Sequence, residues 1–357
     1  MAIKAADKDH FVNLTPGKLM GLRQITDENG RFKVLAMDQS NSFKKALRAM
    51  HEKSGKKVEP SYEEIRDCKM TMTAALAPYG SALLLDVNYG LRQVLSCMAL
   101  PRNVGLIARS EASKNAGTPS EYEPGWSVEK IKRMGAAAVK LLVYIDFEDK
   151  AGTKSQIAFV EMLSKACREQ DILLMTEELS FPRDGEEKSS PAYQDRKVKN
   201  ILEATRLIGP HTDILKLEFP GNIKSDSEAK MADNLGKLNE AAIRPWVILS
   251  AGEKFDLFAK QVELALKAGC NGYMAGRAIF NEYFDQNSAA EQAKFLAGTG
   301  VERMKKLNAL VDRHGTSWPA RYELSPKDLA AAVQPDWYFD GAKPKIAAKV
   351  AAVQGAY

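Results

Sequence analysis

Short apolar segments rich in β-branched residues alternate with longer amphipathic segments along most of the chain. This alternation is typical of βα units built around a parallel sheet. Eight candidate strands follow one another, at 32–37, 82–85, 104–108, 137–143, 172–176, 212–217, 246–249 and 272–275. Eight strands, each followed by a helix, favour a closed (β/α)8 TIM barrel over a doubly wound sheet, which usually has about five or six strands.

Helical patterns lie between these strands, at 62–76, 127–134, 155–169, 197–207, 227–242 and 254–268. Ser61 precedes the first of them and Glu64 follows three residues later, which is the spacing of a capping box. Two loops rich in Gly, Pro, Ser and charged residues, 109–125 and 182–192, follow strands and are therefore expected at the catalytic end of the barrel.

After Ala278 we expect a long helical region to about His314. The barrel domain is then predicted at 1–315. Residues 316–357, with prolines and a lysine-alanine segment, are predicted to form a C-terminal helical extension that packs on the barrel or on a partner subunit.

Composition excludes several classes of protein and leaves the predicted fold unchanged. The chain of 357 residues is 45% hydrophobic and 27% charged, as in folded proteins. The net charge of +5 is dispersed, which argues against a nucleic-acid partner, and no apolar run reaches the ~18 residues of a membrane span. Four separated cysteines without a CxxC pair predict reduced, buried thiols and a cytoplasmic location.

Ionisable residues recur at the carboxyl ends of the predicted strands, where barrel enzymes place their catalytic groups. They are Asp38, Lys140, Glu177 and Lys216, from the first, fourth, fifth and sixth strands. Because side chains alternate along a strand, Lys216 shares the inward face with Ile214 and Glu218, and Lys140 shares it with Ala138 and Leu142. Two lysines and a carboxylate should therefore converge in one cavity.

Such a cavity favours covalent chemistry on a lysine. Apolar walls and a second ammonium both disfavour the charged form of Lys216, so that a neutral amine can attack a ketone. The iminium formed withdraws electrons and lets a neighbouring carbon–carbon bond break, with Glu177 as the candidate proton shuttle. The alternative is that the interior lysines form a structural network with carboxylates such as Glu177 and Glu218.

Two further segments predict a phosphate site after the seventh and eighth strands, a frequent position in this fold. The first is Leu-Ser-Ala-Gly, with Ser250 and Gly252, and the second is Ala-Gly-Arg-Ala, with Gly276 and Arg277. Arg277 would add charge-assisted hydrogen bonds to a phosphate. A tight turn without a ligand is the alternative for the Ser-x-Gly segment alone.

The four histidines are dispersed, and the chain contains neither a P-loop nor a GxGxxG motif. We therefore expect no metal and no nucleotide cofactor.

These segments together resemble the class I tagatose 1,6-bisphosphate aldolase family, which includes related sulfofructose-phosphate aldolases. The matching segments are Leu-Ala-Met-Asp-Gln (35–39), Leu-Leu-Asp (84–86) with Tyr89 and Gly90, Val-Lys-Leu-Leu-Val-Tyr (139–144), Thr-Glu-Glu-Leu (176–179), Asp-Ile-Leu-Lys-Leu-Glu (213–218), Leu-Ser-Ala-Gly (249–252) and Gly-Arg-Ala (276–278). They follow the family's order from near residue 20 to Trp318.

A homo-oligomer is expected for a barrel of this kind, and the resemblance implies a metal-independent aldolase and a sugar-phosphate substrate. It implies that Lys216 forms the Schiff base, that Glu177 is the principal acid-base group and that Asp38 and Lys140 assist it. Its phosphate-binding residues would be Ser250, Gly252, Gly276 and Arg277, and Gln39 and Glu111 would also contact the substrate.

One departure concerns the aldehyde half of the substrate. The family usually continues Asp-Gln-Arg where this chain has Asp38, Gln39 and Ser40, which removes a cation. Tagatose 1,6-bisphosphate is the leading expected substrate, and sulfofructose 1-phosphate and fructose 1,6-bisphosphate are the alternatives. A sugar-phosphate-binding regulatory protein without catalysis is the non-enzyme alternative.

Overall fold

Eight parallel strands form a closed barrel, in which each strand pairs with the next and the eighth pairs with the first. The computed structural model describes residues 8–12, 14–333 and 335. The strands are β1 Phe32–Met37, β2 Ala82–Leu85, β3 Gly105–Arg109, β4 Ala138–Tyr144, β5 Leu173–Leu179, β6 Ile214–Leu217, β7 Trp246–Leu249 and β8 Gly272–Ala275. The predicted TIM barrel is confirmed, although β5 ends at Leu179 rather than at Thr176.

Helices cover the outside of the barrel and continue after the last strand. They are α1 Lys8–Val12, α2 Pro16–Ile25, α3 Asn41–Lys53, α4 Tyr62–Leu76, α5 Leu91–Ser96, α6 Val128–Arg133, α7 Lys150–Glu169, α8 Pro191–Ile208, α9 Glu228–Ala241, α10 Phe255–Lys267, α11 Arg277–Phe280, α12 Ala289–Phe295, α13 Val301–His314 and α14 Pro326–Ala331. The capping box of Ser61 and Glu64 is present at the start of α4, as predicted.

Three helical boundaries differ from the prediction because of local caps and turns. α7 begins five residues before the predicted start at 155, where the Asp149 side chain accepts from the Gly152 N–H. The Ser190 side chain caps α8, so helix replaces loop from Pro191 onward. The helical region after Ala278 is not continuous. A 3₁₀ segment, Asn281–Asp285, is followed by a break before α12 begins at Ala289.

Apolar side chains fill two layers, one inside the barrel and one between the strands and the helices. Inward positions such as Ala138 and Ile214 belong to the inner layer, whereas Val139, Leu215 and Leu217 face the helices. The predicted alternation along β4 and β6 is thus confirmed. The inner layer leaves the carboxyl ends of the strands for polar groups.

Aromatic residues from both ends of the described chain close the amino-terminal end of the barrel. Phe11 stacks on Trp318 and Tyr322 with ring centroids 5.7 and 4.6 Å apart. The Trp318 N–H donates to the Gly30 carbonyl at 3.0 Å, and Arg321 donates to the carbonyl of Ala242. The extension therefore packs on the barrel as far as Leu329. Its predicted part at 334 and 336–357 lies outside the described residues.

The four cysteines are free thiols in unlike environments. Cys167 and Cys270 are buried and Cys68 is half-buried, but Cys97 is exposed, so the prediction of buried thiols is wrong for Cys97. It lies just after the short helix α5, on the surface. Among the described helices, none combines the length and hydropathy that crossing a bilayer requires.

Closure of the barrel between β8 and β1 requires a glycine at position 272. Gly272 has φ +150°, and a Cβ there would overlap the Phe32 carbonyl oxygen of the paired strand. We expect Gly272→Ala to lower the free energy of unfolding by about 2 kcal/mol or more.

The matched control is Gly236→Ala in α9, where a Cβ meets no atom within 4 Å and alanine should stabilise the helix by up to about 1 kcal/mol. Urea unfolding of the two variants checks the prediction, and equal stabilities would contradict it.

Candidate active site

A cavity of ≈ 470 Å³ opens at the carboxyl end of the barrel. Of the residues predicted for the site, those that line it are Asp38, Gln39, Glu111, Lys140, Glu177, Lys216, Ser250, Gly276 and Arg277. The loops that follow β3 and β5 form part of its wall, which places both of them at the predicted end. Gly252 is the exception, because it lies behind the wall against Arg277 rather than in the lining.

Lys140 is the centre of a buried ion cluster. Its Nζ lies 2.9 Å from Asp38 Oδ2, 2.7 Å from Glu111 Oε1 and 2.8 Å from Glu177 Oε2. The side chain is 2% exposed, so these carboxylates replace its water shell. A buried charge requires such pairing, since an unpaired ammonium would be costly away from water.

Lys216 lies on the other side of Glu177. Its Nζ is 2.9 Å from Glu177 Oε2, the same oxygen that contacts Lys140. The strand register pairs Glu177 with Leu142 of β4 and with Lys216 of β6, which places the carboxylate between the two lysines. Lys216 is buried but belongs to the cavity lining, so a ligand can reach it.

The two lysines differ in how many carboxylates hold them. Among the described residues, Lys140 has three carboxylates within 4.0 Å and Lys216 has one. Burial alone would lower the pKa of Lys140, but Asp38, Glu111 and Glu177 hold that pKa well above its ordinary value. Lys140 is therefore held as an ammonium ion.

The three carboxyl groups around Lys140 divide into two kinds. Burial raises the pKa of each, but Lys140 and Lys216 hold the pKa values of Asp38 and Glu177 below their ordinary values. For Glu111 burial outweighs Lys140 and Arg109, so its pKa is raised. The second oxygen of Glu111, Oε2, is buried and has no hydrogen-bond partner among the described residues.

Arg109, at the end of β3, supports the catalytic end of β1 and is absent from the sequence prediction. Its guanidinium donates to the Asp38 carbonyl at 2.7 Å, to Ser40 Oγ at 3.0 Å and to Asn88 Oδ1 at 2.8 Å. Its position at the carboxyl end of a strand could have identified Arg109 as a site residue from the sequence. A cation therefore does stand beside Ser40, supplied by the third strand.

A second buried pair also supports β1 and was missed. Lys69 of α4 donates to the Met37 carbonyl at 2.9 Å and forms a fully buried ion pair with Asp86. Asp86 in turn accepts from the Tyr89 N–H at 2.8 Å. Lys69 therefore fixes the backbone directly before Asp38.

The predicted phosphate segments meet at one edge of the cavity. Ala251 and Gly252 both have positive φ, at 47° and 83°, which makes a tight turn after β7. A Cβ on Gly252 would lie 3.1 Å from the Arg277 Cζ, so the guanidinium packs directly over this turn. Gly276 packs against the Ala36 carbonyl, where a larger residue would not fit. The half-buried Arg277 guanidinium thus stands next to the exposed turn at Ala251 and Gly252.

No group of three His, Cys, Asp or Glu residues that could hold a metal ion occurs within the described part of the chain.

A lysine–carboxylate cluster at the carboxyl end of a closed βα barrel defines the class as a barrel enzyme. Residues 32–282 match the model of the DeoC/LacD family aldolases. The chain belongs to this family, and it is therefore an aldolase, a lyase, as the resemblance of its motifs predicted.

Curated relatives of similar length match along nearly their whole sequence. The chain is 30% identical to tagatose 1,6-diphosphate aldolase 2 of Streptococcus agalactiae over 333 residues, which cover 86% of this chain and 99% of the relative. It is 29% identical to tagatose 1,6-diphosphate aldolase of Lactococcus lactis, over 85% and 98% of the two chains. Fructose-bisphosphate aldolase of Plasmodium falciparum shares the fold, with a TM-score of 0.62, 11% identity and coverage of 88% and 98%.

The raised pKa of Glu111 predicts a pH-dependent effect of replacing it. Above the ordinary value of 4.5 the unfolded chain loses this proton before the folded protein does, so the stability contributed by Glu111 falls as pH rises. Relative to wild type, Glu111→Gln should therefore gain stability between pH 4.5 and the raised pKa, by at most about 1.4 kcal/mol per pH unit.

Urea unfolding at pH 4, 6 and 8 measures this difference. Glu302→Gln, at an exposed position of α13, is the matched control. A difference between Glu111→Gln and wild type that is constant or shrinks with pH would contradict the assignment.

Proposed function

We propose that the protein cleaves a ketose phosphate by forming a Schiff base on Lys216, and releases dihydroxyacetone phosphate and an aldehyde. The observation that carries this proposal is the unequal pairing of the two lysines. Lys140 is surrounded by three carboxylates, whereas Lys216 contacts one and lines the cavity. Only a neutral amine attacks a ketone, and each neighbouring carboxylate stabilises the charged form instead. The lysine with fewer carboxylate contacts, Lys216, is therefore the better nucleophile.

Glu177 is positioned to move the protons of this reaction. Lys216 loses a proton to Glu177 before its nitrogen bonds to the ketone carbon, and a proton returned to the carbinolamine hydroxyl lets water leave. When the nitrogen is neutral, one of the two cations that lower the pKa of Glu177 is gone, which makes the carboxylate a stronger base. When the iminium forms, positive charge returns beside it and favours proton donation.

Bond cleavage then needs a base for the hydroxyl on the carbon that becomes the aldehyde. Two carboxylates are available: Asp38, and Glu177 once it has given its proton to the carbinolamine. Neighbouring lysines hold the pKa of each below its ordinary value, and Lys140 fixes both. Removal of the hydroxyl proton makes the aldehyde carbonyl, and the electrons of the broken carbon–carbon bond move to the iminium nitrogen. Protonation of the resulting enamine and hydrolysis restore Lys216. No metal is required, because the iminium accepts the electrons.

The phosphate of the dihydroxyacetone half is proposed to bind at Ser250, Gly276 and Arg277, with Gly252 shaping the turn behind Arg277. Arg277 packs over the turn at Gly252, so its charge and the backbone of both loops are available to one anion. Gln39, whose Nε2 is 3.2 Å from the Ala36 carbonyl, borders the same edge.

The aldehyde half extends toward β3, which faces β7 across an eight-stranded barrel. Cations on that side are Arg109 and Lys114, which also contact Glu123 at 3.6 Å and Glu121 at 2.9 Å. Glu111 lines the same side of the cavity. Two cations support a second phosphate even though Ser40 carries no charge. With the curated relatives, this favours tagatose 1,6-bisphosphate, which would give glyceraldehyde 3-phosphate. The cytoplasmic location and the homo-oligomer remain predictions.

Trapping with borohydride tests the nucleophile. With dihydroxyacetone phosphate present, reduction should attach one adduct to Lys216, located by peptide mass spectrometry. Lys216→Met should lose the adduct and reduce kcat by roughly 10⁴-fold or more, because the covalent route is removed. Lys237→Met, at an exposed lysine of α9, is the control and should behave as wild type. An adduct on Lys140, or turnover retained without Lys216, contradicts the proposal.

Removing the guanidinium of Arg277 tests the phosphate site. Loss of a charge-assisted hydrogen bond costs about 1.5–3 kcal/mol, so Arg277→Ala should raise KM for tagatose 1,6-bisphosphate about 10- to 100-fold. Cleavage of unphosphorylated tagatose, measured at high concentration, should change little. If both substrates are affected equally, Arg277 does not bind the phosphate.

A panel of ketose phosphates tests the aldehyde half. We expect kcat/KM to be highest for tagatose 1,6-bisphosphate among this ketose, fructose 1,6-bisphosphate, sulfofructose 1-phosphate and tagatose 1-phosphate. Replacement of Lys114 by methionine should reduce the preference for the bisphosphate over the 1-phosphate, since it removes one of the two cations. A wild-type enzyme that prefers a 1-phosphate would overturn the substrate assignment but not the Schiff-base mechanism.

A further inference from the structure

A second cavity lies beside the active site, between the loops that follow β5, β6 and β7. Its volume is ≈ 410 Å³. Its lining includes Lys188, Lys197 and Lys224, and the side chains of Asn222 and Gln261. We call it the outer cavity. The catalytic groups Lys140, Glu177 and Lys216 do not belong to its lining.

The outer cavity is positively charged. Lys224 is paired with Glu253 at 3.2 Å, but Lys188 and Lys197 have no carboxylate within 4.0 Å among the described residues. Lys197 is half-buried, and its charge acts only at longer range on the buried carboxyls of Glu178 and Glu218. Three lysines against one lining carboxylate favour an anion carrying two charges.

Gln261 indicates that a polar ligand belongs there. This α10 side chain is 7% exposed, lines the outer cavity and has no hydrogen-bond partner among the described residues. The amide is not sealed inside the protein but opens onto the cavity, where water or a ligand can satisfy its hydrogen bonds. Its N–H groups and the lysines together can donate to the same anion.

The turn after β7 separates the two cavities. Leu249, Ser250 and Ala251 of this segment contribute to both linings, and so does Lys188. Arg277 lines only the catalytic cavity and Gly252 only the outer one. An anion in the outer cavity would therefore lie on the opposite face of the turn that we assign to the substrate phosphate.

We propose that the outer cavity is a second, non-catalytic site for a phosphate group, either inorganic phosphate or the phosphate of a small metabolite. An anion bound there takes no chemical part in the reaction at Lys216. Because it shares the turn at Ser250, its occupancy is coupled to binding of the substrate phosphate.

The test uses enzyme whose catalytic cavity is blocked. Dihydroxyacetone phosphate and borohydride label Lys216 until mass spectrometry finds no unmodified chain, and the blocked enzyme is titrated calorimetrically with inorganic phosphate and, separately, with glucose 6-phosphate. We expect saturable binding of one anion per chain. Gln261→Leu and Lys224→Met should each weaken it about tenfold or more, because each removes donors to the anion. Lys237→Met should not.

Tighter binding of glucose 6-phosphate than of inorganic phosphate identifies a metabolite site, and equal binding identifies a site for the free anion. Binding that disappears in the blocked enzyme, or that is unchanged in both variants, overturns the proposal. Failure to label Lys216 is a failure of the Schiff-base mechanism instead. In that case Arg277→Ala, which removes the cation of the catalytic cavity, replaces the blocked enzyme in the same titrations.

Discussion

The active site depends on the attraction between one buried ammonium group, that of Lys140, and three carboxylates. Each partner would be costly to bury alone, and breaking such a pair typically costs about 3–5 kcal/mol. The cluster therefore fixes the positions of Asp38, Glu111 and Glu177 together. It also surrounds Lys140 with all three carboxylates, whereas Lys216 contacts only one of them, Glu177.

The order of the strands in the barrel places the residues of this cluster close together at one end. Lys140, Glu177 and Lys216 lie in the consecutive strands β4, β5 and β6, and Glu111 follows β3. Asp38 follows β1, on the other side of the closed barrel. Inward residues nearer the amino end are apolar, so the lysine–carboxylate cluster inside the barrel lies at the carboxyl end. A separate buried ion pair, Lys18 with Asp213, lies at the amino end, directly before β6. Stability and chemistry are in this way separated along the barrel axis.

Much of this could be predicted from the sequence, because strand alternation alone decides which side chains face inward. The inward faces of Lys140 and Lys216 follow from that rule, and the capping box at Ser61 follows from residue spacing. Which carboxylate contacts which lysine could not be predicted. One oxygen of Glu177 contacts both lysines because of the strand register, which the sequence does not show. The support of Arg109 for Ser40 depends on side chains distant in sequence, which no local pattern encodes.

The most direct test of the central claim is the ionisation of Lys140, followed by ¹⁵N NMR of the lysine side-chain nitrogens between pH 6 and 10, with its signal assigned by Lys140→Arg. The resonance should keep the shift of an ammonium throughout, because three carboxylates hold the pKa of this group well above its ordinary value. A Lys140 resonance that moves to the shift of a neutral amine within this range would contradict the account.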